Sequence, residues 1–154
     1  MLQSVPTHWF SWDFTVTQGS EVLANIDTSW WREKGVLTIE GKSYRVYREG
    51  LASGDFVLES AEMIVARARK PSAFRRAFII EHGGRQYALR ANWPFRRAFR
   101  LLDGETEIGS ISPEGFLTRR AAVVMPQDMP LPVQVFVVWL VIILWKRDAN
   151  AAAA

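Results

Sequence analysis

The stretch Met129-Pro130-Leu131-Pro132-Val133-Gln134-Val135-Phe136-Val137-Val138-Trp139-Leu140-Val141-Ile142-Ile143-Leu144-Trp145-Lys146-Arg147 decides the architecture. Between Val135 and Trp145 it holds eleven consecutive apolar residues. A membrane-spanning helix needs about 20, and Gln134, Pro132, Pro130 and Asp128 block extension backwards, so no transmembrane span is expected. Val and Ile would suit a strand, but the run is longer than the usual strand of about 5–6 residues. The flanks favour a helix: Asp128 as N-cap, Pro130 and Pro132 in the first turn, and Lys146-Arg147 against the C-terminal dipole. A helix that is apolar all round must be buried all round. It is expected over about 130–146, closing a single domain of residues 1–147, with 148–154 as a frayed tail.

Something must therefore enclose the helix, and the rest of the chain reads as hairpins. Phe14–Val16 leads through Gln18-Gly19-Ser20 into Glu21–Ile26, and Val36–Ile39 leads through Glu40-Gly41-Lys42 into Tyr44–Tyr47. Phe78–Ile80 turns at His82-Gly83-Gly84 into Gln86–Leu89, and Phe99–Leu102 turns at Asp103-Gly104 into Glu107–Ile111. Each has Gly at or beside its tip, as tight turns require. The layout repeats: segments beginning at Glu21, Glu62 and Glu107 are spaced 41 and 45 apart, and Phe-Arg-Arg-Ala-Phe occurs at both 74–78 and 95–99. Four strands per period, used nearly three times, gives ten to twelve short strands. About eight strands close a barrel filled by its own side chains, whereas about eleven or twelve leave room for a helix. A sixteen-residue helix is about 24 Å long, and a strand of six or seven residues about 20–23 Å. The expected fold is thus an all-β closed barrel of about 12 antiparallel strands around one central hydrophobic C-terminal helix.

Composition narrows the chemistry. The chain has 154 residues, 49% of them hydrophobic, and no Cys, which excludes a disulfide scaffold and thiolate chemistry. His8 and His82 lie far apart with no acidic cluster at ligand spacing, so no metal site is expected, and no cofactor motif is present. No nucleophile elbow, phosphate loop or paired acid and base appears, and a helix-filled barrel has no deep pocket. The expectation is not an enzyme. The formal charge of +3 is unevenly spread: residues 1–62 sum to −4 (five basic, nine acidic), while residues 63–120 sum to +7 (twelve basic, five acidic). Eleven of those twelve cations are Arg, the side chain suited to phosphate and carboxylate.

Taken together, the hairpin repeats, the acidic-Pro turn and the final hydrophobic helix resemble the tubby-like superfamily. That superfamily comprises tubby C-terminal domains, phospholipid scramblases and LURP-one-related proteins; the likeness here is to a single-domain bacterial type. The residues carrying it are Ala66–Pro71, Phe74–Phe78, Gly83–Leu89, Glu107–Ile111 and Pro130–Trp145. The resemblance spans Phe14 to Arg147 and is one of pattern. Tubby domains bind phosphoinositide head groups through basic side chains on the barrel exterior, and the resemblance implies a basic face meeting anionic lipid. The acidic calcium loop of scramblases is not found beside the last strand or helix, so that activity is not carried over.

Candidate anion-binding residues are Arg67, Arg69, Lys70, Arg75, Arg76, Arg96, Arg97, Arg100, Arg119 and Arg120. Strand parity places Ile64, Ala66 and Ala68 inward with Arg67 and Arg69 outward, turns Arg90 outward, and sets Phe95, Phe99 and Leu101 on one inner face opposite Arg96 and Arg100. Arg97, and Arg76 in the twin segment, then fall on the aromatic side. Either they sit at the barrel mouth or a bulge with an acidic partner, or they form an anion clamp with Lys70, Arg75 and Arg96. Three roles are compatible with this. One is a module docking on anionic phospholipid. Another is an interaction subunit anchored by Trp9, Phe10, Trp12, Trp30 and Trp31, residues that could instead plug the barrel ends. The third, nucleic-acid binding, is disfavoured by the small net charge and the lack of a motif. With no signal peptide read in Met1–Pro6, the expected location is cytoplasmic, peripheral to membrane.

Overall fold

In a computed structural model of the chain, which describes residues 1–8, 11–29, 31–50, 54–61, 63–72, 75–92, 94–115 and 118–153, the apolar run forms α1, Leu131–Ala153. Residues 135–146 of α1 are buried without exception, so no face of the helix is left to solvent over three turns. What covers it is a meander of twelve strands: β1 Leu2–Pro6, β2 Phe14–Gln18, β3 Glu21–Thr28, β4 Lys34–Ile39, β5 Lys42–Arg48, β6 Phe56–Ser60, β7 Met63–Arg69, β8 Ala77–His82, β9 Arg85–Asn92, β10 Phe95–Asp103, β11 Thr106–Pro113 and β12 Ala121–Val124. Every strand pairs antiparallel with its sequence neighbour, and β12 returns to β1, so the sheet closes and no strand edge is left unpaired. The architecture fits the tubby-like fold.

Alternation builds the core. Phe14 and Val16, Leu37 and Ile39, Phe78 and Ile80, and Leu89 all point inward and are at most 3% exposed, packed against Val135 to Trp145 of the helix. At the centre, Trp139 meets Phe56 edge-on at 5.8 Å between ring centroids and stacks on Phe136 at 6.2 Å. The barrel has two unlike ends. At the base, where α1 enters, tight turns join the strands; Glu40 (φ 51°) and Gly41 (φ 78°) both take the left-handed conformation that a two-residue primed turn needs. At the mouth, where α1 leaves, five of the six strand connections are longer, 7–13, 29–33, 49–55, 70–76 and 114–120, and only β9 to β10 is as short as at the base.

The internal repeat is a repeat of bulges. In the β2–β3, β6–β7 and β10–β11 hairpins the register slips by one residue, leaving Leu23, Val65 and Ile108 as the extra residues. All three pack half-buried against the core. Their spacings of 42 and 43, obtained by subtracting these numbers, replace the 41 and 45 read from the Glu residues. The bulge also corrects one parity assignment. Ile64 pairs with the outward Glu59 and is 48% exposed, instead of joining Ala66 and Ala68 inside. In the third hairpin, Gly109 is buried where a Cβ would lie 2.6 Å from the Val124 carbonyl oxygen. Gly109→Ala is therefore expected to destabilise by about 1–3 kcal/mol through overpacking against backbone. Urea unfolding checks this, and an unchanged midpoint would contradict the close approach.

Three other expectations change. Leu2–Pro6, read only for a leader, is the strand that closes the barrel between β12 and β2. The helix is capped by the Pro130 carbonyl, which accepts from the Val133 and Gln134 amides, while Asp128 lies before it and reaches Arg85 at 3.5 Å. α1 continues helically to Ala153, beyond the 130–146 expected, and Asp148 is paired with Arg76. Trp9, Phe10, Trp30, Glu62 and Phe74 lie outside the described residues.

Candidate anion-binding face

The ten candidate cations divide by what they touch. Arg67 is paired with Glu49 at 2.8 Å and lies 3.8 Å from Asp55. Arg120 reaches Glu114 at 4.0 Å. Arg119 donates to the carbonyls of His8 and Ser11 and lies over the Trp12 ring, 5.2 Å from its centroid. These three hold loops at the mouth. Trp12 is half-buried against the core, as an end plug should be, whereas Trp31 is 87% exposed and plugs nothing.

Arg76 and Arg97 answer the question left by parity: both sit at the mouth, around the emerging end of α1. Arg76 donates to Asp148 at 2.9 Å and to the Arg96 carbonyl, with its guanidinium 5.6 Å from the Phe99 ring centroid. Arg97 lies 5.0 Å from the centre of the Trp145 ring and donates to the Thr118 carbonyl at 2.7 Å. Trp145 returns a hydrogen bond from Nε1 to the Arg97 carbonyl. Burial holds the Arg97 guanidinium below its ordinary pKa, with Asp148 opposing. Arg147, which grips Glu33 through two hydrogen bonds, and Lys146, which donates to the Ser29 carbonyl, complete the ring. Burial lowers the Lys146 pKa as well.

Arg69, Lys70, Arg75, Arg96 and Arg100 remain, and none of them makes an ion pair within 4.0 Å among the described residues. Topology gathers them. Arg75 precedes β8, Arg96 and Arg100 are on β10, Arg69 ends β7, which pairs with β8, and Lys70 follows it. Between them the sheet adds Arg90, read as outward-facing but not as a site residue: it is the direct cross-strand partner of Arg100. Opposed residues on one sheet face have Cα atoms only about 5 Å apart, and like charges placed so repel. The Nε of Arg100 is buried without a hydrogen-bond partner. From residue 70 to 102 the only acidic side chain is Glu81, at the base end of β8. The mouth half of the β8–β10 wall is thus cationic, and Asp148 pairs with its Arg76. The β9–β10 register set Arg90 opposite Arg100, ten residues on, and the Arg at both positions was the only signal available in the sequence.

A long bulge shapes the same wall. Phe95 pairs with Asn92 while Phe99 pairs with Ala91, so residues 96–98 have no partner on β9. Four residues against one breaks the alternation, and Phe95 points outward beside Asn92, 69% exposed. The expectation that Phe95 shares the inner face of Phe99 and Leu101 is therefore corrected.

Lys70 reports the local potential. Its pKa is lowered from 10.5, chiefly by burial and then by the Arg147 and Arg76 charges, with Glu33 acting the other way. A depressed folded pKa means that the unfolded chain holds this proton more tightly. Stability then rises with pH between the depressed value and 10.5. Carbon-13 NMR of the Lys methylenes is expected to show Lys70 titrating below 10.5, and Lys70→Met to flatten part of that rise. A titration at or above 10.5 would contradict the burial of the ammonium group first, and the Arg147 and Arg76 charges beside it second.

The other side of the barrel differs. A concavity of about 840 Å³ is an open groove over β3–β5 lined by Asp13, Asp27, Lys34, Val36, Arg45 and Tyr47 among others. Burial raises the Asp27 pKa, and the Asp13 charge adds to the shift. His82 is not a free tip residue: its Nδ1 lies 2.9 Å from the Val65 carbonyl oxygen. No group of three or more metal-ligating side chains occurs among the described residues, and no helix among them is long and apolar enough to cross a membrane. Comparison with family models, with curated proteins and with solved structures finds no match for this chain.

Proposed function

We propose that this chain is a non-catalytic binding module of the tubby-like superfamily that docks on anionic phospholipid membrane through the mouth half of its β8–β10 wall. The observation that carries the reading is the Arg90–Arg100 pair. Two Arg residues are opposed across a ladder, with Arg75, Arg96 and Arg69 on the same stretch of wall, and no carboxylate is within ion-pair distance of them among the described residues. Such an arrangement costs stability in the free protein and is relieved by an anion. Cations spread along the outer face of a barrel wall suit a surface covered in anions better than a single enclosed small molecule.

Co-sedimentation with vesicles tests this. Binding is expected to vesicles containing phosphatidylserine or a phosphoinositide and not to neutral phosphatidylcholine. It should fade between low and high salt as screening lengths shrink from about 30 Å at 0.01 M to 3 Å at 1 M. No binding at low salt would remove the lipid reading. It would leave the protein-interaction role, for which the exposed Trp31 is the available anchor.

A further inference from the structure

From the position of Phe95 we infer that the barrel docks on its side, with this one ring entering the lipid interface while the Arg residues around it hold the head groups. The inference rests on the lipid reading above and adds an orientation and an apolar anchor to it. Phe95 is 69% exposed because the 96–98 bulge turns it out of the barrel. An isolated exposed apolar side chain is ordinary on a protein surface; what distinguishes this one is its surroundings. It opens β10 next to exposed Arg96, across from Asn92, on the outward face shared by Arg90 and Arg100. A ring at the tip of a strand, next to Arg96 and on the face of Arg90 and Arg100, matches a bilayer edge where anionic head groups lie immediately above an apolar layer.

Charge selects the side. Trp31 is even more exposed, at 87%, but lies on the loop between β3 and β4, half-way round the mouth from β9–β10. That loop borders the groove containing Asp13 and Asp27. Lys34 and Arg45 line that groove beside the two carboxylates, so its charges largely cancel, whereas Arg90, Arg96 and Arg100 on the Phe95 side have no carboxylate partner among the described residues. The two rings are half a barrel apart and do not enter together. The exposed helical residues 149–153, which project from the mouth, also oppose a flat end-on approach.

The absence of Cys makes the test direct. Single variants Phe95→Cys, Trp31→Cys and Met63→Cys each take one environment-sensitive fluorophore; Met63 is 74% exposed at the barrel base. With vesicles containing phosphatidylserine, the Phe95 label is expected to brighten and shift to the blue, and to be quenched by nitroxides near the top of the acyl chains. The Trp31 and Met63 labels should keep their aqueous emission. Unlabelled Phe95→Ala should bind roughly tenfold more weakly with an unchanged salt dependence, because it removes an apolar contribution and no charge. Vesicle binding with an aqueous Phe95 label, or an equal response at Trp31, would overturn the side-on anchor and leave the lipid reading standing. No vesicle binding by the parent chain at low salt would overturn both. A blue shift that grows with protein concentration in the absence of vesicles would mark a contact between copies of the chain and would also overturn it.

Discussion

Trp139→Ala is expected to lower the unfolding free energy by about 3–5 kcal/mol, the range for a large aromatic removed from a packed interior. Trp139 is 0% exposed, stacked on Phe136 and edge-on to Phe56, which in turn meets Phe78 at 5.5 Å. The void would open where the helix and the barrel wall touch, and closed β-ladders on every side limit collapse into it. Trp139→Phe separates volume from polarity. The indole N–H is buried with no hydrogen-bond partner, and such a group carries a desolvation penalty of about 1–3 kcal/mol. Removing it offsets much of the lost contact, so the Phe variant is expected within about 1.5 kcal/mol of the parent. Urea unfolding with unchanged m-values measures both. An Ala variant within about 1 kcal/mol of the parent would mean that the helix is not packed as the architecture requires.

The second large effect is on binding. Changing Arg75, Arg90, Arg96 and Arg100 together to Gln should weaken anionic-vesicle binding roughly a thousandfold. Each cation near an anionic leaflet contributes about 1 kcal/mol, and about 1.4 kcal/mol is tenfold. The same variant should unfold no more easily than the parent, since none of the four makes an ion pair among the described residues and the Arg90–Arg100 repulsion is relieved. A matched change of Lys42, Arg45, Arg67 and Arg85 to Gln removes the same net charge from elsewhere. Three of those cations already face carboxylates: Arg45 with Glu59, Arg67 with Glu49 and Arg85 with Asp103. Its binding should fall far less. Equal losses in the two variants would show that net charge, and not the β8–β10 wall, drives association.

How much of this was legible beforehand depends on the range of the interaction concerned. The hairpins turning at Gly19, Gly41, Gly83-Gly84 and Gly104 follow from a few adjacent residues, since turn chemistry and period-two alternation act locally. The burial of Val135–Trp145 was equally plain, because a helix without a polar face has only one stable environment. Arg76 and Arg97 were marked as anomalous by parity alone, and their place at the mouth is one of the two accounts that parity allowed.

The remainder turned on register. A bulge reverses the alternation from one side of it to the other, which is why Ile64 and Phe95, just before their bulges, lie outside where simple alternation placed them inside. Arg90 and Arg100 became neighbours only when β9 and β10 paired, and Leu2–Pro6 became a strand only because the closing barrel supplied two partners for it. By itself, then, the sequence determined a helix-filled β-barrel and a cationic middle third, since both follow from residue type and short-range periodicity. Which cations are neutralised, which stand together, and that a phenylalanine stands out among them were decided by tertiary structure, because those depend on pairings between strands whose alignment no local pattern encodes.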